Sequence, residues 1–126
     1  MADYLPVFPN GMEPFTMTAS AAVTGGQVVF ASGVGTVAPT AGANGASIGV
    51  AAGDAGVGAR VAIWPLSGVV HETTTPAGVT AGAAVTSSTA GGVDSSTLAT
   101  VAAAGTHLGT ALTTATATNK VRWIGR

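Results

Sequence analysis

The sequence predicts an all-β protein, a small compact β-barrel or β-sandwich of short strands with an extended N-terminal arm. Three observations carry this. Glycine makes up 19 of 126 residues and recurs between short apolar stretches. Those stretches alternate with period two, as half-buried strands do. Three prolines fall within the first fifteen residues, where they remove ladder donors and forbid a helix.

The arm comes first. Residues 2–15, ADYLPVFPNGMEPF, hold Tyr4, Phe8 and Phe15 among Pro6, Pro9 and Pro14. A proline-stiffened segment loses less conformational entropy on docking than a flexible one. Two destinations remain open for it: the surface of a neighbouring subunit, or a lid over its own barrel. The chain accordingly divides into an arm over 1–15 and a single small β-domain over 16–126.

From Thr16 the strands follow in order. Phe15, Met17, Ala19 and Ala21 share one face, with Thr16, Thr18 and Ser20 on the other. Gln27–Ala31, Val34–Ala38 and Ala46–Ala51 are further strands separated by turns. The clearest is Ala59–Trp64, where Val61 and Ile63 point one way and Arg60, Ala62 and Trp64 the other, so Trp64 is expected to be half-exposed beside Arg60. Pro65–Gly68 turns into Val69–Thr73. Ala83–Ser88 is short and polar. Ser95–Ala104 fits one amphipathic helix with Asp94 as N-cap, or a loop with a short strand. His107–Thr113 and Asn119–Ile124 close the chain, with Val121 and Trp123 on one face and Lys120, Arg122 and Ile124 on the other. With so few large side chains, Phe15, Phe30 and Trp123 are natural core fillers.

A short phrase recurs, a valine followed by a glycine turn and then an apolar strand: Val23-Thr24-Gly25-Gly26-Gln27-Val28, Val57-Gly58-Ala59-Arg60-Val61 and Val79-Thr80-Ala81-Gly82-Ala83-Ala84-Val85. The copies are unequally spaced, which argues against a solenoid.

Composition excludes several functions. Charged residues are 7% of the chain, against about a quarter in ordinary soluble domains. A net charge of −1, with Arg60, Lys120, Arg122 and Arg126 as the whole basic stock, gives no footprint for nucleic acid. Mean hydropathy is +0.52, yet Gly25-Gly26, Pro39 and Asn44-Gly45 break every stretch long enough to cross a membrane. Zero cysteines remove disulfides, thiolate nucleophiles and cysteine-bound zinc. Met1-Ala2-Asp3-Tyr4 lacks the basic start of a secretory signal, so synthesis in a host cytoplasm is expected.

No catalytic constellation stands out. His71 and Glu72 are adjacent in a strand and face opposite ways. His107 and Asp94 lack a serine in a G-x-S-x-G turn, no H-E-x-x-H is present, and the glycine runs lack the lysine of a phosphate loop. Asp54, in Gly53-Asp54-Ala55-Gly56, suits a turn where its carboxylate caps backbone amides. No catalytic residue, metal, cofactor or small-molecule substrate is expected. Low charge leaves sheet edges without gatekeepers, which a closed barrel or burial against other subunits would relieve.

Taken in order, Thr18–Val29, Ile48-Gly49-Val50-Ala51, Gly58–Ile63, Ser67-Gly68-Val69-Val70, Val79–Val85, His107–Leu112 and Val121–Ile124 resemble the small capsid decoration, or cement, proteins of tailed phages. The resemblance covers roughly Thr16 to Ile124. It implies a staple on the outside of an icosahedral head, bound to the major capsid protein, often as a homotrimer at local three-fold positions. Two departures stand out, the aromatic and proline-rich start and the Ala-Thr-Gly stretch over 86–106. The anchors expected for such a role are Tyr4, Phe8 and Phe15 on the arm, with Arg60 and Trp64 on the barrel. Competing readings are a tail-tube, terminator or fibre-associated β domain, and a surface carbohydrate-binding module. A major capsid protein would need a longer chain.

Overall fold

A computed structural model describes residues 3–126, so Met1 and Ala2 of the arm lie outside the described residues. Ten strands follow the arm: β1 (Phe15–Ala19), β2 (Val28–Gly33), β3 (Thr36–Pro39), β4 (Ser47–Ala51), β5 (Arg60–Pro65), β6 (Val70–Thr74), β7 (Ala84–Ser87), β8 (Val93–Ser96), β9 (Gly109–Ala111) and β10 (Lys120–Gly125). One short helix, α1 (Leu98–Ala104), joins β8 to β9. The all-β expectation holds.

The strands form two units with one wiring. In the first, β1 pairs with β5, β5 with β4, β4 with β2 and β2 with β3, all antiparallel; β3 then pairs in parallel with β1 and closes a barrel. The second runs β6, β10, β9, β7, β8 in the same succession but stays open between β8 and β6.

The recurring phrase is the hinge of this repeat, and it occurs four times rather than three. Val23 exchanges both backbone hydrogen bonds with Ala55, at 2.8 and 2.9 Å, and Val79 does so with Ala115, both at 2.9 Å. Three residues on, the amides of Gly26, Gly58, Gly82 and Thr118 donate to Ala51, Ala19, Ala111 and Thr75, each at 2.8 Å. Corresponding residues are 56 positions apart at the start of the units (Val23 and Val79) and 60 apart at the end (Ala55 and Ala115). The growth comes from the longer β8–β9 connection, which holds α1.

The fourth copy escapes sequence reading because Thr118 replaces the glycine. All four turn residues have positive φ: 92°, 83° and 88° at the glycines and 68° at Thr118. A β-branched residue is disfavoured there. Thr118→Gly is therefore expected to stabilise the protein by about 0.5–1 kcal/mol, seen as a rise of a few degrees in thermal midpoint.

The missing ladder in the second unit also has a local cause. In the barrel, Ser20 N–H donates to the Val37 carbonyl at 2.8 Å. The corresponding residue after β6 is Pro76, which has no N–H to give. Asp94 takes over the seam: its carboxylate accepts from Thr75 Oγ1 at 3.1 Å, Ala77 N at 2.9 Å and Ser88 Oγ at 2.5 Å. Asp94 is thus a strand residue paired with Thr86 and not the cap of α1, whose N-cap is Thr97. The Ser95–Ala104 stretch divides into the end of β8 and this helix, which buries only Val101.

Two adjoining valines weld the units. Successive strand residues face opposite ways, so Val29 enters the first core with Ala19, Val37, Ala51, Val61 and Ile63, while Val28 enters the second. On β4, Val50 and Ala51 divide in the same manner. The second core is completed by Val79, Val85, Val93, Leu108, Val121 and Trp123. Trp123, fully buried, is its largest member, and its Nε1 donates to Thr73 Oγ1 at 2.9 Å.

Candidate interaction surface

The arm crosses the seam between the two units, and its backbone explains why it lies there. Val7 N–H donates to the Val70 carbonyl at 2.8 Å, and Val70 N–H donates to Phe8 O at 2.9 Å, so the segment adds a short antiparallel bridge to the free edge of β6. On this side β6 has no strand partner, since β8 does not pair with it. Pro6 is buried, and Asn10 Nδ2 donates to the Gly68 carbonyl.

Tyr4 pins the far end. Its amide donates to Ala52 O at 2.6 Å, and its own carbonyl accepts from Trp64 Nε1 at 3.2 Å. The ring stacks on His71, with centroids 5.9 Å apart, and His71 lies 5.0 Å from Trp123, so an aromatic ladder runs from the arm into the second core. His71 Nε2 lies 2.9 Å from the Pro65 carbonyl, which can only accept, so Nε2 carries the proton. Nδ1 therefore accepts from the Tyr4 hydroxyl at 2.7 Å, and the Tyr4 oxygen accepts from Glu72 N–H at 3.2 Å. Burial pushes the His71 pKa down to about 4, opposed by the Pro65 carbonyl. Burial likewise pushes the Tyr4 phenol up, with the Glu72 amide bond acting against it. The clasp is neutral at pH 7.

Four of the arm's apolar side chains face outward. Leu5 is 76% exposed and Phe8 58%, with Met12 and Phe15 also exposed. Phe15 is therefore not a core filler; Trp123 is, and Phe30 is half-buried. The sequence reading singled out Phe8 and Phe15 and passed over Leu5 and Met12. Their signal was the arm itself, whose apolar residues lie outside the alternating strands that build the cores.

The expected anchors thus fall into two groups. Tyr4 and Trp64 are half-buried and bonded to each other's chain segment. Phe8, Phe15 and Arg60 are exposed, with Arg60 at the start of β5, opposite Thr18. Arg60 and Trp64 lie on the same side of β5, away from Val61 and Ile63, as the alternation required.

Several titratable groups have structural partners. Asp54 accepts from Gly25 N at 2.9 Å, the turn cap expected of it. Glu72 pairs with Arg122 at 3.0 Å on the surface, and His107 Nε2 lies 2.8 Å from Gly109 O. Among the described residues no three His, Cys, Asp or Glu side chains gather as a metal site. A cleft of about 470 Å³ opens at the seam between Gln27, Thr74, Ala90 and Lys120, and its lining is mostly threonine and glycine.

Comparison with known proteins bears on the whole domain. A family model described as phage cement protein matches residues 10–125. No match was found among curated proteins. Among solved structures, the chain is similar to the head fiber gp8.5 N base of bacteriophage phi29, at 19% identity over 91% of this chain and 94% of that one, with a TM-score of 0.68. Identity this low establishes a shared fold.

Proposed function

Because the chain belongs to the phage cement protein family and is thus a structural, non-catalytic component of the virion, we propose that it binds the outer surface of the mature head. There it stabilises contacts between neighbouring major capsid protein subunits, in groups of three at local three-fold positions, after synthesis in the host cytoplasm.

The observation that supports this most is the outward apolar arm. Leu5, Phe8, Met12 and Phe15 stand exposed on one segment whose backbone is fastened to the body. Preorganised aromatic side chains lose little entropy on docking and serve as interface anchors. In this reading Phe8, Phe15 and Arg60 touch the shell, while Tyr4 and Trp64 position the arm. Many copies on one head reinforce weak individual contacts wherever neighbours are bridged.

The test is to mix purified protein with undecorated heads and image them. Knobs of density over the outer three-fold positions are the expected result; empty heads alongside free protein would sink the proposal. Phe8→Ser with Phe15→Ser should lower occupancy at limiting protein by roughly tenfold or more, while leaving the thermal midpoint nearly unchanged because both side chains are exposed. A second reading, a fibre-associated part, draws on the fold shared with the N base of a head fiber. Density continuing outward as a fibre would favour it.

A further inference from the structure

The arm's seat is made by contacts to residues 4–8 alone, and one exposed turn returns the arm to its own body. We propose that neighbouring copies exchange arms, so that residues 4–8 of one copy occupy the β6 edge and the His71 clasp of the next. The proposal rests on the reading that copies stand close together on a shell.

Three observations carry it. First, the seat is self-contained. The bridge at Val70, the clasp of Tyr4 on His71 and the Tyr4–Ala52 bond all lie N-terminal to Pro9 on the arm side. A second copy's arm reproduces each of them unchanged, so exchange sacrifices none of these bonds. Second, the hinge is one short exposed turn with few ties to the body. Asn10 and Gly11 both have positive φ, 51° and 76°, in a turn where Met12 N–H donates to the Pro9 carbonyl at 3.0 Å. Residues 10–16 are all exposed, and apart from the Asn10 side-chain contact with Gly68 no side-chain hydrogen bond of this turn reaches the body. Pro9 and Pro14 hold the residues before them, Phe8 and Glu13, toward extended backbone on either side of the turn. Straightened, Pro9–Pro14 spans up to about 20 Å, enough to reach an abutting copy.

Third, the closed form leaves apolar area in water. Leu5, Phe8, Met12 and Phe15 are exposed when the arm folds back. Met12 and Phe15 flank the hinge, so a straightened hinge crossing between two bodies lays them at the junction. Burial there favours exchange without altering the seat.

The chain has no cysteine, which makes the test clean. Phe8 and Val70 are bridge partners exchanging backbone hydrogen bonds, a spacing of Cα atoms that a disulfide can span. One preparation carries Phe8→Cys, and a second, distinguishable by mass label, carries Val70→Cys. Neither alone can form the link within a chain. The two are mixed on undecorated heads and, separately, unfolded and refolded together at high concentration, then oxidised. The expected result is a disulfide between position 8 of one copy and position 70 of the other, identified by peptide mass. The double variant, diluted, should give the same link within one chain, which verifies the geometry. Bound or refolded mixtures that yield no 8–70 link between copies, while the double variant links internally, overturn the exchange. Failure of either variant and of the unmodified protein to bind heads overturns the shell role instead, and the refolded mixture then decides the exchange alone.

Discussion

Gly109→Ala is expected to abolish the native fold, or to leave a protein melting far below the parent. A Cβ at this position would sit 1.9 Å from the carbonyl oxygen of Ile124 and 3.1 Å from Gly125 Cα. Both obstacles are backbone, and they belong to β10, the strand that carries Val121 and Trp123 into the second core. Relief requires β9 and β10 to part, which opens the Trp123–Ala111 and Ile124–Thr110 pairs. Overpacking against backbone of this severity costs more than about 4 kcal/mol, a large part of a typical domain's 5–15 kcal/mol. The repeat makes the same prediction for Gly49 in the barrel, where a Cβ would lie 2.2 Å from Trp64 O. Gly105→Ala is the control, because space there is open and only a φ of +71° is strained; about 1 kcal/mol is expected. Urea unfolding of the three variants decides the matter. A Gly109→Ala midpoint close to that of Gly105→Ala would refute the close approach of β9 to β10.

Acid is expected to weaken the fold through His71. Its folded pKa of about 4 lies below the ordinary 6.5 because burial disfavours the charged ring. Between these values the unfolded chain binds a proton that the native state refuses, so stability is full above about pH 6.5 and falls as pH drops toward 4. The span corresponds to about 3 kcal/mol, or a thermal midpoint lower by about 10 °C at pH 4 than at pH 7. Protonation also removes the Nδ1 lone pair that accepts the Tyr4 hydroxyl, so the arm should loosen in the same window. Hydrogen exchange of the Val7 and Tyr4 amides reads the arm, and calorimetry reads the body. His71→Phe places in the second unit the residue type that the barrel has at the corresponding Phe15. It should be less stable at pH 7, since the Pro65 carbonyl loses its partner, yet flat in pH. An unchanged acid slope in that variant would move the effect to other groups.

Much of the fold was legible before any coordinates. Period-two alternation placed β5 and β10 with the correct inward residues, Val61 and Ile63 in one and Val121 and Trp123 in the other. The glycine turns located three of the four hinges. What escaped was the repeat. Ile48-Gly49-Val50-Ala51 and Leu108-Gly109-Thr110-Ala111 are the same strand in the two units, each with a glycine pressed against a neighbouring carbonyl. Three things hid this: glycine-to-threonine replacement at 118, the α1 insertion that stretches the offset from 56 to 60, and strands too short to align by composition alone. The sequence leaves Asp94 open because an acid before an apolar stretch signals a cap locally, whereas pairing with Thr86 and three donors from elsewhere hold it in a strand.

The candidate surface divides along the same line. Prolines at 6, 9 and 14 keep the arm out of helices and confine its strand pairing to one short bridge, so its extended character follows from local chemistry alone. Membership in an all-β class and the inward faces of the strands follow likewise, because alternation is a property of neighbouring residues. Where the arm lies depended on tertiary structure. It needed a free edge on β6, and β8 leaves that side of β6 unpaired. It needed a buried imidazole for Tyr4, and His71 is held neutral by burial, which tertiary packing beside Trp123 supplies and the Pro65 carbonyl bond only partly opposes. Hydrogen bonds between residues sixty or more positions apart leave no periodic trace in the chain. They are decided by which edges the fold leaves open.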